Sequence, residues 1–183
     1  GSARGIGSVI ARVFAEAGAS VVLCDIQDEA GMATAKAIND AGYSALFTKA
    51  DLRREDDIKG MIDFSVDNFH RLDILINNAR PSMRNVSFIE SLDEWDVAMD
   101  ILVKAPALAI KYAVRYFLKT GGGAVINIAS TNAFLVSHQP AAYHVAKAAI
   151  LQLTRYAAYE LGPKGIRVNA ICPALVDLYD EGK

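Results

Sequence analysis

Gly1-Ser2-Ala3-Arg4-Gly5-Ile6-Gly7 opens the chain and leads, through residues 8–20, into Val21-Val22-Leu23-Cys24-Asp25. This stretch decides the fold. Ile6, Ile10, Val13, Phe14 and Ala17 recur at helical spacing, so a helix is expected over residues 5–17, with Gly18 at its stop. Residues 20–26 (SVVLCDI) form a short valine-rich apolar run that reads as a buried strand. Closely spaced glycines ahead of a helix let the backbone turn tightly. The helix then offers its N-terminal amides and positive dipole end to an anion such as a pyrophosphate. Asp25 ends the strand, 18 residues after Gly7.

The same alternation continues outward. Asp28 is placed as the cap of a helix running to about Ala41, which Gly42 ends. Residues 43–50 read as a strand, and residues 55–69 as a helix, with Ile58, Ile62 and Val66 four apart. Residues 72–77 (LDILIN) are a strand. A long helix is expected over residues 91–119, opened by the capping-box pattern Ser91-Leu92-Asp93-Glu94 and bent or broken by Pro106. Residues 121–123 form a glycine turn and residues 124–129 (AVINIA) a strand. Residues 141–161 form a helix stopped by Gly162-Pro163, and residues 166–171 (IRVNAI) the last strand. Continuous apolar strands separated by helices imply a parallel sheet covered on both faces, in a doubly wound, Rossmann-type α/β fold.

Composition agrees with a globular α/β domain. The 183 residues are 52% hydrophobic and 22% charged, enough for a sizeable core in a single domain over residues 1–183. A net charge of −2 gives no reason to expect nucleic acid or an anionic membrane as partner. No apolar stretch is long enough to span a bilayer, and the expected location is cytoplasmic. Cys24 and Cys172 lie in apolar runs and are expected as buried, reduced thiols. With them, His70, His138 and His144 show no metal-ligand spacing, so no metal is assigned.

Chemistry concentrates in Ser130, Tyr143 and Lys147. Tyr143 and Lys147 are four apart on one helix and share a face. Tyrosine is a weak acid, with a pKa of about 10. A nearby ammonium favours its anion and suits it to exchange a proton with a carbonyl/alcohol pair. The lysine can also reach a nicotinamide ribose. Ser130 ends the preceding strand, at the carboxyl edge where open α/β sheets bind ligands, and its hydroxyl can hydrogen-bond the substrate oxygen. Asp25 can accept from both ribose hydroxyls and would repel a 2′-phosphate, so NAD is favoured over NADP. Arg4 is the one residue of the turn that could face such a phosphate.

These residues, in this order, resemble the short-chain dehydrogenase/reductase family over nearly the whole chain. GSARGIG resembles its cofactor turn, Asn77-Asn78-Ala79 its segment after the fourth strand, and Ser130 with Tyr143-x-x-x-Lys147 its catalytic group. Residues 167–173 (RVNAICP) resemble the run into its nicotinamide loop. The resemblance implies an NAD(P)-dependent alcohol/carbonyl oxidoreductase. Gly1, Ser2, Arg4, Gly5, Ile6 and Gly7 would hold the diphosphate, and Asp51 and Leu52 would lie by the adenine. Asn77 and Ala79 would line the cofactor, and Pro173, Ala174 and Val176 would approach the nicotinamide. Residues 81–87 and 131–142 would meet the substrate. It also implies a homodimer or homotetramer built on the two long helices, with Tyr112, Tyr116, Tyr156 and Tyr159 as candidate interface residues.

Four departures stand out. Arg80 follows Asn-Asn-Ala where the family has a glycine, either as a replacement or because a residue or two is lost there. Leu102 stands where the family has an asparagine that holds a water in its proton relay. Ala174 and Leu178 replace a glycine and a carboxamide-binding threonine. The family's first strand, C-terminal lid and last strand have no counterpart, so the chain is expected to be a fragment whose second and fourth family strands each have an unpaired edge. These departures keep a second function open, a cofactor-binding or interaction protein of the same fold without catalysis. A nucleotide-sugar epimerase or dehydratase is a third, set back by the glycine spacing and the Asn-Asn-Ala segment.

Overall fold

A computed structural model describes residues 1–84, 92 and 94–176. Its contacts group the chain into two compact units, Gly1–His70 and Arg71–Leu175, with Val176 assigned to the first.

The first unit runs α1 (Gly5–Glu16), β1 (Val21–Asp25), α2 (Asp28–Asp40), β2 (Ala45–Lys49) and α3 (Glu55–Phe69). β1 and β2 are parallel, in register from Val21 against Ala45 to Asp25 against Lys49. Their core joins Ala11 and Ala15 of α1, Leu23 of β1, Ala35 and Ile38 of α2, and Ala45 of β2. The alanines bring α1 close to the sheet. Gly31 does the same for α2, because a Cβ there would clash with the ring of Phe47. Asp28 does not cap α2 as expected. Gln27 occupies that position without a side-chain bond, and Asp28 is the first helical residue, where its charge faces the positive end of the helix dipole.

Ser2, in the glycine turn, holds the carboxyl end of β1. The Ser2 amide donates to the Cys24 carbonyl at 3.2 Å. The Cys24 amide donates to Ser2 Oγ at 2.7 Å. The Asp25 carbonyl accepts from Ala50, on the β2 side. Successive residues of a strand point their polar groups to opposite sides, so Ser2 lies along the other edge of β1.

The second unit runs β3 (Ile74–Asn77), α4 (Trp95–Met99), a π-helical turn (Asp100–Lys104), α5 (Ala105–Thr120), β4 (Gly123–Ile128), a 3-10 turn (Thr131–Ala133), α6 (Ala141–Leu161), a second 3-10 turn (Gly162–Lys164) and β5 (Ile166–Ile171). The strands are parallel in the order β3-β4-β5. α5 packs on β3 and β4, and α6 on β5. Gly122 adopts a φ of +143°, and a Cβ there would meet the Gly165 carbonyl at 2.6 Å, so the turns entering β4 and β5 touch through backbone alone. Among the described residues β1 pairs with β2 alone, and β3 with β4 alone.

The long helix differs from expectation in one respect. Pro106 does not break it but sits in the first turn of α5, and the helix widens just before it. Pro106 has no N–H for the Leu102 carbonyl. The Ala105 amide reaches five residues back to Asp100, the π pattern. The capping box expected at Ser91 lies outside the described residues. Glu94 makes no cap bond, and its carboxylate accepts from the Arg84 amide at 2.8 and 2.9 Å.

Candidate active site and cofactor turn

In the first unit the glycine turn and Asp25 come together. Gly5 has a φ of +59°, a conformation that favours glycine, and opens α1. Arg4 caps α1 with no side-chain bond, and the first turn holds no acidic residue. Among the described residues no side chain caps the leading amides of this twelve-residue helix, which fits a diphosphate. Asp25 is nearly buried, with both oxygens engaged: Oδ2 accepts from Ala3 N and Oδ1 from Gln27 N, each at 3.0 Å. Burial raises its pKa. The Gln27 and Ala3 amides and the terminal amine outweigh burial and bring the pKa below the usual carboxylate value. Asp25 thus also locks the turn to β1, a role not visible in the spacing. Asp51 follows β2 and is clasped by Arg53, whose Nε lies 3.0 and 3.1 Å from its two oxygens. Leu52 beside it is half-buried.

In the second unit the carboxyl ends of β3, β4 and β5 carry the remaining candidates. Asn77 ends β3, and its Nδ2 donates to Asn127 Oδ1 at 2.8 Å. Asn127 is fully buried and passes the chain on, its Nδ2 donating to Thr154 Oγ1 at 2.8 Å. Thr154 donates in turn to the Ile150 carbonyl at 2.7 Å. This polar thread fixes the Asn77 side chain from within the sheet. The sequence reading named Asn77 and missed Asn127. The signal was a lone asparagine inside AVINIA. Ala79 is half-buried two residues beyond Asn77.

Ser130 lies two residues past β4 and caps the 3-10 turn, its Oγ accepting from the Asn132 amide at 3.2 Å. Thr131 donates to the Pro173 carbonyl at 3.0 Å, which sets Pro173 against the same strand end. Ala174 and Val176 are exposed, and Leu178 lies outside the described residues. Phe134, Leu135 and Val136, in the segment expected to meet substrate, stand 66%, 65% and 93% exposed. The 85–87 part of the other such segment lies outside the described residues.

Tyr143 and Lys147 occupy successive turns at the start of α6, both nearly buried. The lysine Nζ lies 5.6 Å from the centre of the tyrosine ring and donates to the Ile128 carbonyl. Burial first, then the Arg80 charge, hold the Lys147 pKa down at about 8, with Cys172 opposing. Leu102, in the π-helical turn, is buried in a cluster with Ala98, Ala142, Tyr143 and Ala146, and Trp95 packs against it. An apolar side chain thus shares a cluster with the tyrosine, at the position that the resemblance aligns with a water-binding asparagine. The adjacent histidine serves the loop. His144 Nε2 accepts from Ser137 N, so its Nδ1 carries the proton given to the Pro140 carbonyl, both at 3.0 Å. Cys24 and Cys172 are free thiols, half-buried rather than buried as expected. Among the described residues no helix is long and apolar enough to cross a membrane.

Known proteins match this architecture along its length. The family model described as enoyl-(acyl carrier protein) reductase matches residues 1–180. Xanthoxin dehydrogenase of Arabidopsis thaliana is 39% identical over 184 residues, covering 96% of this chain and 63% of that protein. 3beta-Hydroxysteroid dehydrogenase 2 of Eggerthella lenta is 36% identical over 176 residues, covering 94% and 67%. Cis-4-hydroxycyclohexanecarboxylate dehydrogenase of Sinomonas cyclohexanicum is 35% identical over 178 residues, covering 97% and 71%. The chain thus spans about two thirds of the length of these relatives. On this family-model match and these identities, the chain belongs to the short-chain dehydrogenase/reductase family.

Proposed function

We propose that the protein is an NAD(P)-dependent oxidoreductase interconverting an alcohol and a carbonyl compound. The observation that carries this is the Tyr143–Lys147 pair, nearly buried one helical turn apart at the start of α6. A nicotinamide cofactor, when bound, supplies or takes up the hydride. The turn of Gly1, Ser2, Arg4, Gly5, Ile6 and Gly7 holds its diphosphate on the α1 amides, and Lys147 holds its ribose. In the reducing direction the Tyr143 hydroxyl gives its proton to the substrate oxygen, and in the oxidising direction the phenolate takes it back. The Ser130 hydroxyl donates to that oxygen as charge develops on it. Phe134, Leu135 and Val136 offer an apolar wall to the substrate body.

The finer assignments belong to the same reading. Asp25 favours NAD over NADP, because a 2′-phosphate brought to its ionised carboxyl would be repelled. Asp51 and Leu52 lie by the adenine, Asn77 and Ala79 line the cofactor, and Pro173, Ala174 and Val176 approach the nicotinamide. Residues 1–183 act as a single Rossmann-type domain of a cytoplasmic homodimer or homotetramer. Tyr156 and Tyr159, 62% and 82% exposed on α6, are the candidate interface residues. Titration with NADH and NADPH, followed by a panel of alcohols and ketones, tests the reading: NADH binding with turnover is expected. Binding without turnover on any substrate would favour the second reading, a cofactor-binding protein without catalysis, which Leu102 packed in the relay position supports.

A further inference from the structure

Arg80 stands where the family's glycine was expected, and its surroundings give it a task. Its guanidinium carbon lies 5.1 Å from the centre of the Tyr143 ring. Its Nη2 donates to Gln139 Oε1 at 2.8 Å. Arg80, just ahead of the 81–87 segment, thus meets Gln139, within the 131–142 segment, beside the tyrosine proposed to transfer the proton. A guanidinium carries five N–H donors in a planar fork. Gln139 takes one, and among the described residues no carboxylate pairs with Arg80. The next arginine along the chain contrasts with it, since Arg84 is paired with Glu94. The charge of Arg80 is felt in the site, for it helps hold down the pKa of Lys147.

We propose that Arg80, held by Gln139 against Tyr143, is a carboxylate-binding subsite, and that the substrate is a hydroxy acid or the matching oxo acid. A planar fork matches a carboxylate with two parallel bonds, which a neutral carbonyl or an amide cannot offer. The exposed run Phe134-Leu135-Val136 suits an aliphatic body on such an acid. The carboxylate lies a few bonds from the reacting carbon, because the cation that receives it flanks the tyrosine ring. The subsite stands on its own geometry. The substrate class rests on the oxidoreductase reading.

The two are tested apart with one set of proteins. Trp95 is the chain's one tryptophan and packs against the Tyr143 cluster, so its emission reports ligands there. In the presence of NAD, hexanoate should bind at least about tenfold more tightly than hexanamide, the span expected for a charged hydrogen bond. Arg80→Gln should erase that preference, and Arg80→Lys should keep part of it. Equal binding of acid and amide by the wild type, or a preference kept in Arg80→Gln, overturns the subsite. So does an Arg80→Gln variant that loses NAD affinity by the same factor, because Arg80 would then serve the cofactor. In turnover, hydroxy acids should exceed their methyl esters in kcat/KM by about tenfold or more, and Arg80→Gln should collapse that ratio whatever the absolute rates. Equal turnover of acid and ester, with a ratio unmoved in the variant, leaves the oxidoreductase reading and removes the subsite. Acid-selective binding through Arg80 without turnover of any hydroxy acid removes the oxidoreductase reading and keeps the subsite.

Discussion

Lys147 donates its ammonium to the carbonyl of Ile128, the last residue of β4, so the helix that carries Tyr143 is tied to the strand that leads to Ser130. The tie is made under desolvation, with burial the main reason the lysine pKa is held at about 8 against 10.5 for the free side chain.

A pH dependence of stability follows. Below pH 8 folded and unfolded chains both carry the proton on Lys147, and the folded state bears the full penalty of a buried ammonium. Between 8 and 10.5 the folded state releases the proton first, and the penalty is relieved as pH rises. The full difference is about 3 kcal/mol. Lys147→Met should abolish turnover. It should also raise Tm relative to wild type at pH 7, by an amount that shrinks toward pH 10. A Tm difference that does not change with pH would count against the burial argument.

Leu102 sets the second prediction. Leu102→Asn places an amide in an apolar cluster, so stability should fall by about 1–3 kcal/mol. The same amide can hold a water beside Tyr143, so kcat should rise if proton exchange with solvent limits the wild type. A variant that loses stability and gains no kcat would show that the protein has another relay.

The buried thread sets the third. Asn127→Ala strands the Asn77 amide and opens a cavity in β4, at a cost of about 2–4 kcal/mol in denaturant unfolding. A double-mutant cycle with Thr154→Val should show a coupling of about 1 kcal/mol. Additive losses would mean the two side chains do not act as one thread.

His144 sets the fourth. His144→Phe removes both of its bonds to the 137–140 loop. Exchange of the Ser137 amide should quicken about fivefold, the equivalent of one hydrogen bond. Unchanged exchange would mean that the loop is held by other contacts.

The elements were legible because their periods are strong. Ile58, Ile62 and Val66 mark one face of α3, and AVINIA could only be a strand. The Tyr143–Lys147 pair was legible because α6 places both side chains on one face at fixed spacing. What escaped depends on where side chains point in space. Arg80 was visible as a misfit, yet nothing linear directed it over a ring 63 positions away. Pro106 announced a disturbance, while its form, a π turn placing Leu102 against Tyr143, depends on which carbonyl loses its donor. Asp25 was read for its charge toward a ribose, and its engagement with the amides of Ala3 and Gln27 appears only once the turn is folded.

In the proposed mechanism Tyr143 moves the proton in a nicotinamide-dependent oxidation or reduction. The direct measurement is NADH turnover of the wild type and Tyr143→Phe on the same substrate, with NADH binding measured alongside. Tyr143→Phe should bind NADH as the wild type does and lose on the order of 10²–10⁴-fold in kcat. A Tyr143→Phe variant that turns over at the wild-type rate would contradict it.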